Sequence, residues 1–173
     1  AVPAATGMDA LTHAVEAYIG GWSTAFSDRM ALSAVGLIYQ NLPLAFADGQ
    51  NLAAREKMAL ASMYAGLAFT RASVGNVHAI AHQLGGLYHT PHGLANAILL
   101  PPVLRFSSTA IQAKLAVLAV QARVGRPKAP EARLAQKFLD SVESMNRALG
   151  IPKHLDALRE QRPYKSGRGS FSA

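Results

Sequence analysis

Four of the six histidines in this chain fall in one short stretch, "HAIAHQLGGLYHTPHG", residues 78–93. His78 and His82 stand at positions i and i+4. On a helix that spacing places both on one face, one turn apart. Asp9 and His13, in "MDALTH", repeat the spacing near the start of the chain. His92 follows in "TPHG", between Pro91, which restricts the backbone, and Gly93, which permits a close turn or approach. A histidine so flanked can fold back toward the helix that carries His78. Helical bundles build metal sites from side chains on facing helices in this way. Three imidazoles and one carboxylate suit a divalent first-row metal, iron(II) or zinc.

Each of these residues also has an ordinary structural explanation. Asp9 alone reads as a helix-cap carboxylate near the positive end of the helix dipole. His13 alone reads as a satisfied polar group, and a single i, i+4 histidine pair arises by chance. His89 reads as a rim residue, and His154 in "PKHLDAL" as structural or solvated. What favours a metal is the coincidence of these residues. In apolar helices an unpaired buried imidazole or carboxylate costs free energy. A shared cation would satisfy the group together.

The elements that must position these residues are helical almost throughout. Thr6-x-x-Asp9 has capping-box spacing and predicts a helix start, with Leu11, Val15 and Tyr18 on its inner face. Gly20-Gly21 should end that helix. The next repeats Met30, Ala34, Leu37 and Ile38 at helical period, should kink or break at Pro43, and should stop at Gly49. Asn51 caps a third helix whose predicted buried stripe is Leu60, Met63, Tyr64 and Leu67. After the histidine segment, "SSTAIQAKLAVLAVQARVG" and "PEARLAQKFLDSVESMNRALG" read as two more helices. The second carries Leu134, Phe138, Val142, Met145 and Leu149 on one face, with Gly150 just past its end. A short helix follows Ile151-Pro152. No strand alternation, Gly-rich phosphate loop or internal repeat is visible. The fold class is all-α, a bundle-like domain over residues 1–160. Residues 161–173 form a disordered or non-native tail.

Composition bounds the function. The chain has 173 residues, 50% of them hydrophobic and 16% charged, which describes a folded domain with a core. The low charged fraction suggests that some apolar surface belongs against something else. With no cysteine there are no disulfides, thiolate metal sites or cysteine nucleophiles, which fits a cytoplasmic setting. No apolar run approaches the roughly 18 residues that span a bilayer. The nearest, "GLANAILLPPVLRF", is interrupted by Asn96 and by Pro101-Pro102. No signal peptide and no membrane partner are expected. The net charge of +7 owes part of its excess to Arg162, Lys165 and Arg168 near the end. No nucleic-acid motif accompanies it, so no nucleic-acid partner is expected. The opening "AVPAATG" lacks an initiator Met and reads as the middle of a longer protein.

"PAATGMDALTHAVEAY" together with "GNVHAIAHQLGGLYHTPHGLANAILLP" resembles the two signatures of the iron-containing (group III) alcohol dehydrogenases. The resemblance runs from residue 1 to about 160, takes in "LGIPKHL", and keeps both motifs in order. It implies the dehydroquinate synthase-like fold, of which this would be the helical C-terminal domain. The α/β domain that holds NAD or NADP would lie outside the sequence. It implies Asp9, His13, His78 and His92 as ligands of iron(II), with zinc an alternative. It makes His82 the histidine beside the nicotinamide and substrate, relaying a proton or orienting the substrate. Gly85, Gly93 and Asn96 belong to the second signature as backbone-shaping residues. The implied reaction is hydride transfer between an alcohol or aldehyde and NAD(P), in a protein that forms a homodimer at full length. By itself this domain would lack turnover. Related readings are the glycerol dehydrogenase, maleylacetate reductase or dehydroquinate synthase types, which share the architecture. A helical interaction module with incidental histidines is the non-enzymatic reading. The absence of a Glu-x-x-His pair disfavours a ferritin-like di-metal bundle, and the absence of HExxH excludes that class of protease.

Overall fold

The computed structural model describes residues 2–155, and within them the chain forms seven α-helices and no strand. They are α1 (Val2–Ile19), α2 (Ala25–Ala47), α3 (Leu52–Ala72), α4 (Asn76–Tyr88), α5 (His92–Ser107), α6 (Gln112–Gln121) and α7 (Glu131–Ala148). The all-α expectation holds.

α1 is the axis of the assembly. It packs against α2, α3, α5 and α6. Met8, Leu11, Ala14, Val15 and Ala17 are fully buried, so the helix is apolar around most of its circumference. It starts earlier than the Thr6–Asp9 spacing predicts. Pro3 is tolerated in a first turn, Ala4 and Ala5 favour helix, and the chain is already helical at Val2. Asp9 therefore lies well inside α1 and caps nothing.

The expected caps and inner faces appear at several places. Asn51 accepts a hydrogen bond from the Ala54 amide at 3.0 Å and opens α3. On α7, Leu134, Phe138, Val142 and Met145 are buried, as is Leu149 just past its end, and Gly150 follows with φ +68°. α7 lies against α6 and α5. On α2, Ala34 and Ile38 are buried, whereas Met30 and Leu37 are only half-buried. α2 also has a capping box the sequence reading did not include, between Thr24 and Ser27.

Three expectations fail, each for a physical reason. α2 runs through Pro43 to Ala47. An interior proline costs about 3 kcal/mol. Burial of Ala31, Ala34, Val35, Ile38, Leu42 and Ala45 on the same helix offsets it, and Pro43 itself lies on the exposed side. α5, for which no break was expected, also contains two prolines, Pro101 and Pro102. On α3 the buried stripe is Ala54, Ala61, Ala65, Ala68 and Ala72, while Met63 is 53% exposed and Leu67 42%. Small side chains let α3 lie close to both α1 and α2, and the larger ones turn outward. Finally, α2 is by length and composition apolar enough to cross a membrane, contrary to the sequence reading. Its buried face packs on α1, α3 and α6.

Large apolar side chains remain on the surface, Trp22, Leu52, Leu87 and Phe106 foremost among them. The short helix expected after Ile151-Pro152, beyond its first residues, and the tail at 161–173 lie outside the described residues.

Candidate metal centre

Three helices meet beside the middle of α1. α1 carries Asp9 and His13 one turn apart, α4 carries His78, and His92 is the first residue of α5. The reversal between α4 and α5 is made at His89, which adopts the left-handed conformation (φ 52°, ψ 33°). Gly85 and Gly86 thus lie inside α4 rather than at its end. The first turn of α5 then presses on α1. A Cβ added at Gly93 would come 2.8 Å from the Ala5 carbonyl oxygen and 3.3 Å from Asp9 Cβ. The close approach expected at Gly93 is what brings His92 to Asp9.

Asp9 Oδ1 lies 3.8 Å from His13 Nδ1, 3.9 Å from His78 Nε2 and 3.6 Å from His92 Nε2. One ligand atom from each of the four residues can be chosen so that all lie within 4.8 Å of one another. Four ligands at about 2.1 Å from a common tetrahedral centre stand about 3.4 Å apart, so small side-chain movements close the set around an ion. The donor chemistry, one carboxylate and three imidazoles, fits a divalent transition metal. His13 Nδ1 donates to the Asp9 carbonyl oxygen at 2.9 Å, which leaves Nε2 as its lone-pair nitrogen. Burial holds the pKa of His13 below the usual value; neighbouring His78 and His92 push the same way, against the charge and carbonyl of Asp9. A neutral imidazole is the form a metal takes.

Two side chains outside the predicted set complete the cluster. Asn96, one turn along α5 from His92, is fully buried. Its Nδ2 lies 2.6 Å from Asp9 Oδ1 and 3.0 Å from both His78 Nε2 and His92 Nε2. Two amide protons thus face three acceptors, while Asn96 Oδ1 is buried without a hydrogen-bond partner among the described residues. Asn96 acts here through its side chain, not as a backbone-shaping residue. Glu16, two turns along α1 from Asp9, meets His78 Nδ1 at 2.6 Å. Burial pushes its carboxyl pKa up, but hydrogen bonds from His78, Gly75 and Val77 outweigh burial and hold it below the ordinary range. The only sequence signal for Glu16 was its place on the Asp9–His13 face of an apolar helix.

The centre opens on a cleft of about 610 Å³, whose walls include His13, His78, His92, Trp22, Phe69 and Val74. His82 also lines it and is exposed. Its ring is stacked 5.2 Å from that of His92 and sits edge-on 5.9 Å from that of His78. It is not one of the four converging ligands. His89 and His154 do not line the cleft.

The model of the Fe-containing alcohol dehydrogenase family, C-terminal, matches residues 3–161. The chain belongs to this family. Among the iron-containing alcohol dehydrogenases it is similar to the 1,3-propanediol dehydrogenase of Klebsiella pneumoniae, with 48% identity over 155 residues, covering 90% of this chain and 40% of that one. Alcohol dehydrogenase 4 of Saccharomyces cerevisiae (strain YJM789) is 40% identical over 158 residues, covering 91% and 40%. The crystal structure of a 1,3-propanediol oxidoreductase superposes with a TM-score of 0.88 at 48% identity, covering 90% of this chain and 41% of that one. The chain thus spans about 40% of the length of the relatives it matches. What it shares with this family is the all-α domain.

Proposed function

We propose that this chain is the metal-binding catalytic domain, over residues 1–160, of an NAD(P)-dependent oxidoreductase acting on an alcohol or aldehyde. Asp9, His13, His78 and His92 would hold iron(II), with zinc the alternative. The observation that carries the reading is the convergence of one carboxylate and three imidazoles on a single point, in a chain of the iron-containing alcohol dehydrogenase family. The ion, when bound, supplies Lewis acidity toward the substrate oxygen. The chain's own residues supply the rest. His82, on the cleft wall beside His92, holds or passes the hydroxyl proton at an imidazole nitrogen and orients the substrate beside the nicotinamide. Trp22, Phe69 and Val74 give the cleft apolar walls that limit water near the reacting carbon. The exposed apolar side chains are suited to pack against an α/β nucleotide-binding domain and, in a homodimer, against a second copy. The proposed setting is the cytoplasm.

The test is metal content and NAD(P)-linked alcohol oxidation in the full-length protein and in His78→Ala and His92→Ala. Both variants should lose bound metal and turnover together. Metal content unchanged in both would overturn the ligand assignment, and elemental analysis distinguishes iron from zinc.

A further inference from the structure

Among the described residues Glu16 is the only acid buried in the core, at 3% exposure. A carboxylate placed there needs several donors to replace water. It finds them on one short segment more than fifty residues away in sequence. Glu16 Oε1 accepts from the Val77 amide at 2.7 Å, and Oε2 accepts from the Gly75 amide at 3.0 Å and from His78 Nδ1 at 2.6 Å. The His78 amide lies 3.4 Å from Oε2. Gly75, the N-cap of α4, offers no side-chain cap of its own. A carboxylate from α1 takes that place, where the helix dipole favours negative charge.

The segment is shaped around this carboxylate. A Cβ at Gly75 would come 2.8 Å from Glu16 Oε1, so the absence of a side chain there makes room for it. Two residues earlier, Ser73 has φ +66° and ψ −179°, a conformation close to exclusive to glycine. The connection from α3 to α4 is held in a costly shape whose result is that His78 points Nδ1 at Glu16 and Nε2 at Asp9. Asn96 Nδ2, 3.0 Å from His78 Nε2, is a donor and requires an acceptor there. The Glu16 carboxylate, which can only accept, therefore selects the tautomer protonated at Nδ1, and the Asn96 donor is compatible with a lone pair at Nε2.

We propose that Glu16 is a positioning residue of the metal centre: its carboxylate holds the His78 ring and its Nδ1 proton so that Nε2 presents its lone pair to the ion. The proposal rests on the metal reading above. It makes Glu16, His78 and the ion a carboxylate–histidine–metal relay, a type of arrangement in which loss of the outer carboxylate weakens metal binding about 10–100-fold.

Glu16→Gln in the full-length protein tests it. Glutamine cannot reproduce the contacts, because one of its two ends must present an NH₂ group to backbone or ring donors. Co(II) affinity, measured by competition with a chelator, should fall about 10–100-fold, with a changed visible Co(II) spectrum. Circular dichroism reports whether the variant is folded. Independently of any variant, ¹⁵N spectra of histidine-labelled wild-type protein loaded with Zn(II) should show His78 protonated at Nδ1. A folded Glu16→Gln protein with wild-type Co(II) affinity and spectrum, or a His78 protonated at Nε2, overturns the role of Glu16 alone. Wild-type protein that binds neither metal overturns the metal reading and this one with it.

Discussion

Gly93 is where one missing carbon decides how closely two helices approach at the candidate metal centre. Its Cα faces the Ala5 carbonyl, and a methyl group there would sit 2.8 Å from that oxygen and 3.1 Å from the carbonyl carbon. The obstacle is backbone, which cannot swing aside as a flexible side chain can. Gly93→Ala should therefore push the first turn of α5 off α1 and carry His92 away from Asp9. Overpacking of this kind costs roughly 1–3 kcal/mol. Thermal denaturation should show that loss, and Co(II) titration should show weaker binding. Unchanged metal affinity would mean that the α1–α5 contact does not set the ligand geometry. Asn96 and Glu16 work at the same scale. Each is buried, Asn96 with its Nδ2 toward Asp9, His78 and His92, and Glu16 with its carboxylate on His78 Nδ1 and the Gly75 and Val77 amides.

At the scale of elements, α1 supplies both the core and half of the centre. Its apolar sides meet α2, α3 and α6, and the remaining stripe of Asp9, His13 and Glu16 is addressed by α4 and α5. α5 must hold its place for that to work, and α7 braces it. Asn146 Nδ2 donates to the Ala97 carbonyl at 2.6 Å in the buried seam. Outside, Arg105 donates to Glu143 at 2.7 Å and to Asp140 at 3.1 Å. The hydrogen bond and charge of Arg105 hold the Glu143 carboxyl below its ordinary pKa. A carboxyl whose folded pKa is depressed adds stability above its unfolded pKa, near 4.3, and loses it as pH falls through the folded value. Glu143→Gln should thus destabilise the protein at pH 7 and make no difference at strongly acid pH. Both partners are exposed, so the loss should stay under about 1 kcal/mol and shrink in high salt. Denaturant unfolding of the two proteins at pH 7 and pH 3 checks the sign. A larger deficit at the acid end would contradict it.

At the scale of the whole molecule, the proposed metal binding would be linked to the fold. The four candidate ligands come from three helices far apart in sequence, so an unfolded chain does not offer the same site. An ion that binds only the folded state stabilises it by about 2.7 kcal/mol at a hundredfold excess over its Kd. Chelation should lower the melting temperature of the full-length protein, and added Fe(II) or Zn(II) should restore it. A melting temperature indifferent to chelator would favour a helical interaction module with incidental histidines. Surface chemistry belongs to this scale too. Trp22 and Leu52 are each 76% exposed and Phe106 is 89% exposed.

Helix type, the α7 inner face and the Asn51 cap were legible in the sequence, because each depends on period or on a local hydrogen bond. The same holds for the i, i+4 spacing of Asp9 with His13, and for the two signatures, which determine the family. Tertiary structure alone decided the rest. Period marks an apolar face but not how near a neighbouring helix lies, so the close packing of α3 through alanines, with Met63 and Leu67 outside, was not visible. Pro43 reads as a break because its local cost is certain, while the burial that offsets it is non-local. Glu16 and Asn96 were missed as members of the cluster for a related reason. A carboxylate on a helix is most cheaply left in water, and only the arrival of α4 and α5 against α1 removes the water and supplies donors and acceptors in its place.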